Sequence, residues 1–187
     1  FAGGIHDARS AAMISAMAAP LVERGMRIGV LMGTAYLFTQ EAVSCKAIVE
    51  GFQEQALQCT RTINLETGPG HASRCVRTQF AEEFYATRRR MLAAGSSAEE
   101  IKNALEELNL GRLRIASKGL VRSTDKLATV DKEDQLSNGM YMIGQVATMR
   151  DKVNSIHSLH QDVSQTSTDL LAQAIASDAE TDTNAAQ

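Results

Sequence analysis

Met26-Arg27-Ile28-Gly29-Val30-Leu31-Met32-Gly33-Thr34 is the stretch on which the fold class turns. Its apolar run, Gly29-Val30-Leu31-Met32, lacks strict alternation, as expected of a strand buried on both faces of a parallel sheet, and Gly33-Thr34 ends it. Upstream, Gly3-Gly4-Ile5 forms a sharp turn and Asp7-Ala8-Arg9-Ser10 starts a helix. Residues 11–21 are rich in the helix formers Ala and Met, while Pro20 and Gly25 limit how far that helix runs. From Thr39 the spacing of Ala47, Ile48, Phe52 and Leu57 predicts another helix. Loop, helix, buried strand, glycine loop and helix make one βα repeat and the start of the next.

Residues 60–65 alternate as a short strand does, and Gly68-Pro69-Gly70 breaks the chain. Residues 80–91 read as a helix whose basic end, Arg88-Arg89-Arg90, complements the helix dipole, with a phosphate-binding patch as the lesser alternative. Ser97 and Glu100 form a capping box for a further helix that ends near Asn109-Leu110-Gly111. Residues 113–118 are too short to assign, and 131–138 read as polar loop or frayed helix. Gly139-Met140-Tyr141-Met142-Ile143-Gly144-Gln145 is expected to open a long final helix, with Val146, Met149, Val153, Ile156 and Leu159 on one face. The chain divides into βα units over 1–58, a helical extension over 59–165 and a largely disordered tail over 166–187, where Ser, Thr, Asp and Ala dominate.

The chain has 187 residues, 44% of them apolar, with no Trp and five Phe, so its core is aliphatic. A net charge of −3 gives no electrostatic case for nucleic acid or an acidic membrane surface. No stretch approaches the roughly 20 consecutive apolar residues of a membrane span, and Phe1-Ala2-Gly3-Gly4 is neither a signal peptide nor a targeting helix. The chain lacks an initiator Met and opens on what reads as a strand end, so it is expected to continue a longer sequence. Cys45, Cys59 and Cys75 form no CxxC pair, and read as buried or idle thiols of a reducing cytoplasm.

The chemistry sits in the two glycine turns at strand ends, Gly3-Gly4 and Gly33-Thr34. In an α/β barrel the loops after the seventh and eighth strands commonly build a phosphate site. Glycine lets backbone N–H groups approach an anion, and a Thr hydroxyl adds a donor. The turns lie one βα unit apart, although each alone also reads as an ordinary bend. His71 sits in a turn and reads as structural. His157 and His160 are three apart, a chelating spacing, but no third ligand is evident and they read as a solvated or packed pair.

Ala2-Gly3-Gly4-Ile5 followed by Gly29-Val30-Leu31-Met32-Gly33-Thr34-Ala35-Tyr36-Leu37-Phe38-Thr39 closely resembles the end of the nitronate monooxygenase (2-nitropropane dioxygenase-like) family. There an AGGI turn and a GVQMGTRFL-type segment bind the phosphate of flavin mononucleotide (FMN). This chain has Leu31 in place of the usual Gln and Ala35-Tyr36 in place of Arg-Phe, and residues 18–24 look like an insertion. Thr67-Gly68-Pro69-Gly70-His71-Ala72-Ser73-Arg74 is similar to the family's TGRPAR-type segment, and Ile143-Gly144-Gln145-Val146 to its GQ-containing helix. The stretches MGTAYLFT, TGPGHASRC, LGRLRIASKG and GMYMIGQVA look closest to versions embedded in bacterial polyketide and polyunsaturated-fatty-acid synthases.

The resemblance implies the C-terminal part of a (β/α)8 TIM barrel followed by a mostly helical extension. It also implies that Gly3, Gly4, Gly33 and Thr34 hold the phosphate of FMN. The flavin-ring contacts and the catalytic His belong to a missing N-terminal barrel portion. His6 does not match that His and is read as a loop residue near the cofactor; the resemblance brings Tyr141 near the mouth of the active site, while the residues alone make it a helix anchor. The implied activity is that of an enoyl reductase on chains carried by acyl carrier protein, with NAD(P)H reducing the flavin and synthase modules as partners. The alternatives are nitronate oxidation, a non-catalytic docking or scaffold segment of a megasynthase, and a nucleotide-phosphate barrel like inosine-monophosphate dehydrogenase, whose catalytic Cys loop is not evident here.

Overall fold

The computed structural model describes residues 1–124 and 126–185. Helix α1, Ala8–Glu23, starts at a capping box. The Asp7 carboxylate accepts from the Ser10 amide at 2.8 Å, and the Ser10 hydroxyl accepts from the Asp7 amide at 3.1 Å. Such a cap stabilises a helix by about 1 kcal/mol. Burial acts to raise the Asp7 carboxyl, but the bonds from Ser10 outweigh it and the net effect is a lowered pKa.

The stretch 26–32 departs from its expected form. It is extended, and it pairs in parallel with the chain start through one bridge, Ala2 to Leu31. The Leu31 amide donates to the Phe1 carbonyl at 2.9 Å, and the Phe1 amino group donates to the Gly29 carbonyl at 2.7 Å. The expected buried strand is corrected in two respects: the segment forms a single bridge rather than a strand, and Val30 and Leu31 are 47% and 67% exposed. The parallel pairing is present, but no described element covers the two faces of the segment. A 3-10 turn, Thr34–Phe38, follows the glycine turn, and two short helices, α2 (Gln40–Ser44) and α3 (Glu50–Leu57), complete the first unit.

The extension opens on an antiparallel hairpin, β1 (Thr62–Gly68) and β2 (His71–Val76), turned at the expected Gly68-Pro69-Gly70 break. Helices α4 (Gln79–Ala93) and α5 (Ala98–Asn109) pack against it through Leu65, Cys75, Phe80, Phe84, Ile101 and Leu105. The Ser97–Glu100 capping box of α5 forms as the sequence indicates. Beyond it lie α6 (Arg112–Lys118), a second hairpin of β3 (Leu120–Ser123) and β4 (Lys126–Thr129), and α7 (Lys132–Asn138). The stretch from β1 to α7, expected as a helical extension, is therefore mostly helical with two small sheets. A second core joins Phe38, Phe52, Val76, Ala116, Tyr141 and Ile143 across the first unit and the extension.

The long final helix expected from residue 139 does not form. Residues 139–144 run extended because their backbone groups pair with β2: the Val76 amide donates to the Tyr141 carbonyl and the Ile143 amide to the Arg74 carbonyl, both at 3.0 Å. A 3-10 turn, Gln145–Met149, then leads to helix α8 (Ile156–Gln161) and a π-helical turn, Asp162–Thr166. The tail expected to be largely disordered is helical over α9, Ser167–Ala185, which packs on α1. Its many Ala residues are strong helix formers, and α1 gives it a surface to pack against. Positions 186 and 187 of that tail lie outside the described residues.

Candidate functional site

The Gly3-Gly4 and Gly33-Thr34 turns converge on one cavity of about 340 Å³, which they share with Arg74, Gly144 and Gln145. The parallel bridge from Ala2 to Leu31 brings the turns side by side. Gly3 and Gly4 have φ of +86° and +79°, a left-handed backbone that side chains rarely adopt. At Gly33 an ideal Cβ meets no atom within 4 Å. Among the described residues, the amides of Gly3, Gly4 and Gly33 donate to no acceptor of the chain. Free backbone donors without side chains in front of them suit an oxyanion, and a volume of this size admits a phosphate group.

Thr34 has two functions available to one hydroxyl. Its Oγ1 accepts from the Gly144 amide at 2.8 Å, which leaves its proton to be donated elsewhere. That bond spans 110 residues and ties the Gly33-Thr34 turn to the GQ segment. A Cβ on Gly144 would stand 2.7 Å from the Thr34 Oγ1, so the close approach requires glycine there. The GQ resemblance marks this segment, but its place at the cavity depends on the sheet pairing of residues 141–143.

Arg74 is the residue that sequence reading missed as part of the site. It is half-buried on β2 opposite Asn64, and its Nη1 donates to the Thr62 Oγ1 at 3.1 Å. All the other residues that line the cavity are uncharged. The signal lay in the TGPGHASR stretch, whose Arg the hairpin turns back toward the glycine loops.

The other candidates fall outside this cavity. His6 is buried, and its Nδ1 has no hydrogen-bond partner. It lines a separate hollow of about 190 Å³ beside Arg150, which donates to the His6 carbonyl at 2.6 Å. Tyr141 is fully buried rather than at a site mouth: it packs on Phe52 at 5.2 Å between ring centres and donates to the Gln135 carbonyl at 3.0 Å. Burial pushes its phenol up to about 12. His160 lies within 2.8 Å of the Tyr36 hydroxyl, and the described residues contain no cluster of three or more His, Cys, Asp or Glu suited to a metal ion. Cys59 and Cys75 are buried, and burial pushes the Cys75 thiol up to about 12. A larger hollow of about 470 Å³, lined by Arg77, Gln79, Asp131 and Asp134, is open and polar and contains neither glycine turn.

No family model and no curated protein matches the chain. Among solved structures it is similar to FabK from Thermotoga maritima, with 23% identity over 94% of this chain and 45% of that one, at a TM-score of 0.65. It is likewise similar to a methionine-to-alanine mutant of the same FabK, with 21% identity over 94% and 43% of the two chains, at a TM-score of 0.60. At this identity the likeness shows a shared fold, and this chain's part of it is mixed α/β with small sheets. The chain spans less than half the length of these FabK chains.

Proposed function

We propose that this chain is the phosphate-binding end of an FMN-dependent oxidoreductase barrel, with residues 1–58 as the last βα units and 59–165 as an extension packed on them. The observation that carries the reading is that three glycines whose amides have no acceptor among the described residues, Gly3, Gly4 and Gly33, line one cavity. These amides and the Thr34 hydroxyl would hold the phosphate, and Gly144 would fix the Thr34 side chain. Bound flavin would supply the two-electron chemistry, while the residues of this chain bind and orient it. The finer assignment is to an enoyl reductase acting on acyl chains held by acyl carrier protein, with NAD(P)H as reductant. Its support is the motif resemblance to synthase-embedded members, and the fold likeness to FabK is consistent with it.

The test is a titration of the intact protein with FMN, followed by quenching of flavin fluorescence. Saturation at one FMN per chain is expected. A protein that folds, contains the glycine turns and gives no saturable quenching would overturn the proposal.

A further inference from the structure

Arg74 is half-buried on the cavity wall, and a partly dehydrated cation gains from an anionic partner. Among the described residues, no carboxylate lies within 4.0 Å of the Arg74 guanidinium. Its one hydrogen bond, from Nη1 to the Thr62 hydroxyl at 3.1 Å, engages one donor of five. That bond, with the Ile143 amide held by the Arg74 carbonyl at 3.0 Å, fixes the residue from both of its strand neighbours. Arg74, bonded to Thr62 and without a carboxylate partner, lines the same cavity as the glycines Gly3, Gly4 and Gly33, and that combination has the composition of an oxyanion clamp.

We infer that Arg74 is the charge partner of the phosphate in this cavity, and that the β1–β2 hairpin therefore completes the binding site from the extension side. This rests on the phosphate site proposed above and assigns it a group outside the glycine turns. The glycine amides give the cradle its shape and Arg74 gives it its charge. The extension is then a part of the binding site rather than a separate scaffold. Discrimination follows: the site should prefer a flavin with a terminal phosphate over riboflavin, which has the same ring and no phosphate.

The experiment compares FMN and riboflavin on the intact protein by fluorescence titration, for wild type, Arg74→Gln and Arg74→Lys, with circular dichroism and melting curves on each. Wild type should bind FMN more tightly than riboflavin. Arg74→Gln should lose about ten- to a hundred-fold in FMN affinity while its riboflavin affinity stays unchanged, the range of a lost hydrogen bond to a charged group. Arg74→Lys should keep much of the preference, because it keeps the charge. A folded Arg74→Gln protein with the wild-type preference overturns the inference and leaves the glycine cradle standing. Wild type without a preference for FMN overturns the phosphate site itself. Should Arg74→Gln fail to fold, Arg74→Met takes its place and is read in the same way: a folded Met variant that loses the preference supports the clamp, and one that keeps it overturns the inference.

Discussion

Gly3 and Gly4 are glycines because their backbone is left-handed, but Gly33 has φ of −117°, which any residue can adopt. Nothing in the protein occupies the place of its missing Cβ. A side chain there should therefore leave the fold intact and fill only the space a ligand would use. Thr34→Val has a different consequence, because it removes the acceptor for the Gly144 amide. It should cost stability, about 0.5–1.5 kcal/mol for one hydrogen bond, as well as some FMN affinity, and thermal melts beside a titration separate the two losses. The thiols give a further expectation. Cys75 is raised by burial from 9.0 to about 12, so the folded state holds that proton more tightly than the unfolded state does. Its contribution to stability is full below pH 9 and falls as pH rises toward 12. Denaturant midpoints measured across that range should fall less steeply in Cys75→Ala than in wild type. At this scale the sequence displayed Gly3, Gly4, Gly33 and Thr34 because turn chemistry is local. It hid Arg74, whose position depends on a strand partner, Asn64, and on the residues 141–143 that pair with β2.

Elements whose signals lie within four residues were the most legible. The Asp7–Ser10 start of α1, the Ser97–Glu100 box of α5 and the Gly68-Pro69-Gly70 turn all form where the sequence puts them. Ser97→Ala should accordingly cost about 1 kcal/mol, seen as a Tm lowered by roughly 2–4 °C for a chain of this size. An unchanged melt would mean that α5 is held by packing alone. The segment after Gly139 was misread because Val146, Met149, Val153 and Ile156 fall at helical spacing, while the groups that set its backbone are in β2, far away in sequence. Gly139 itself shows how tightly that extended segment is packed. A Cβ there would stand 2.5 Å from the Gln135 carbonyl oxygen and 2.9 Å from the Tyr141 ring. Gly139→Ala should therefore destabilise by about 1–3 kcal/mol, the range for overpacking, with denaturant unfolding as the measurement.

Across the whole molecule, the two cores lie in the extension and at its junction with the first unit, while the parallel pair at the chain start carries exposed apolar side chains: Phe1 is 45% exposed, Val30 47% and Leu31 67%. Exposed large apolar side chains gathered on one short segment favour association. The chain by itself should elute above its 20.2 kDa monomer mass in size-exclusion chromatography, and Val30→Lys should shift it toward the monomer. No helix among the described residues is long and apolar enough to cross a membrane, so the exposed strip is not part of a helical span. The fold shared with FabK covers less than half of that protein, and within it the chain gathers the glycine turns, the GQ segment and Arg74 around one cavity. Whether that cavity holds the phosphate of FMN is tested most directly by the FMN dissociation constant of the intact protein beside that of Gly33→Val, with melting curves for both. The variant should melt as wild type does and bind FMN about ten- to a hundred-fold more weakly. A Gly33→Val protein that folds normally and keeps the wild-type dissociation constant would contradict a phosphate site there.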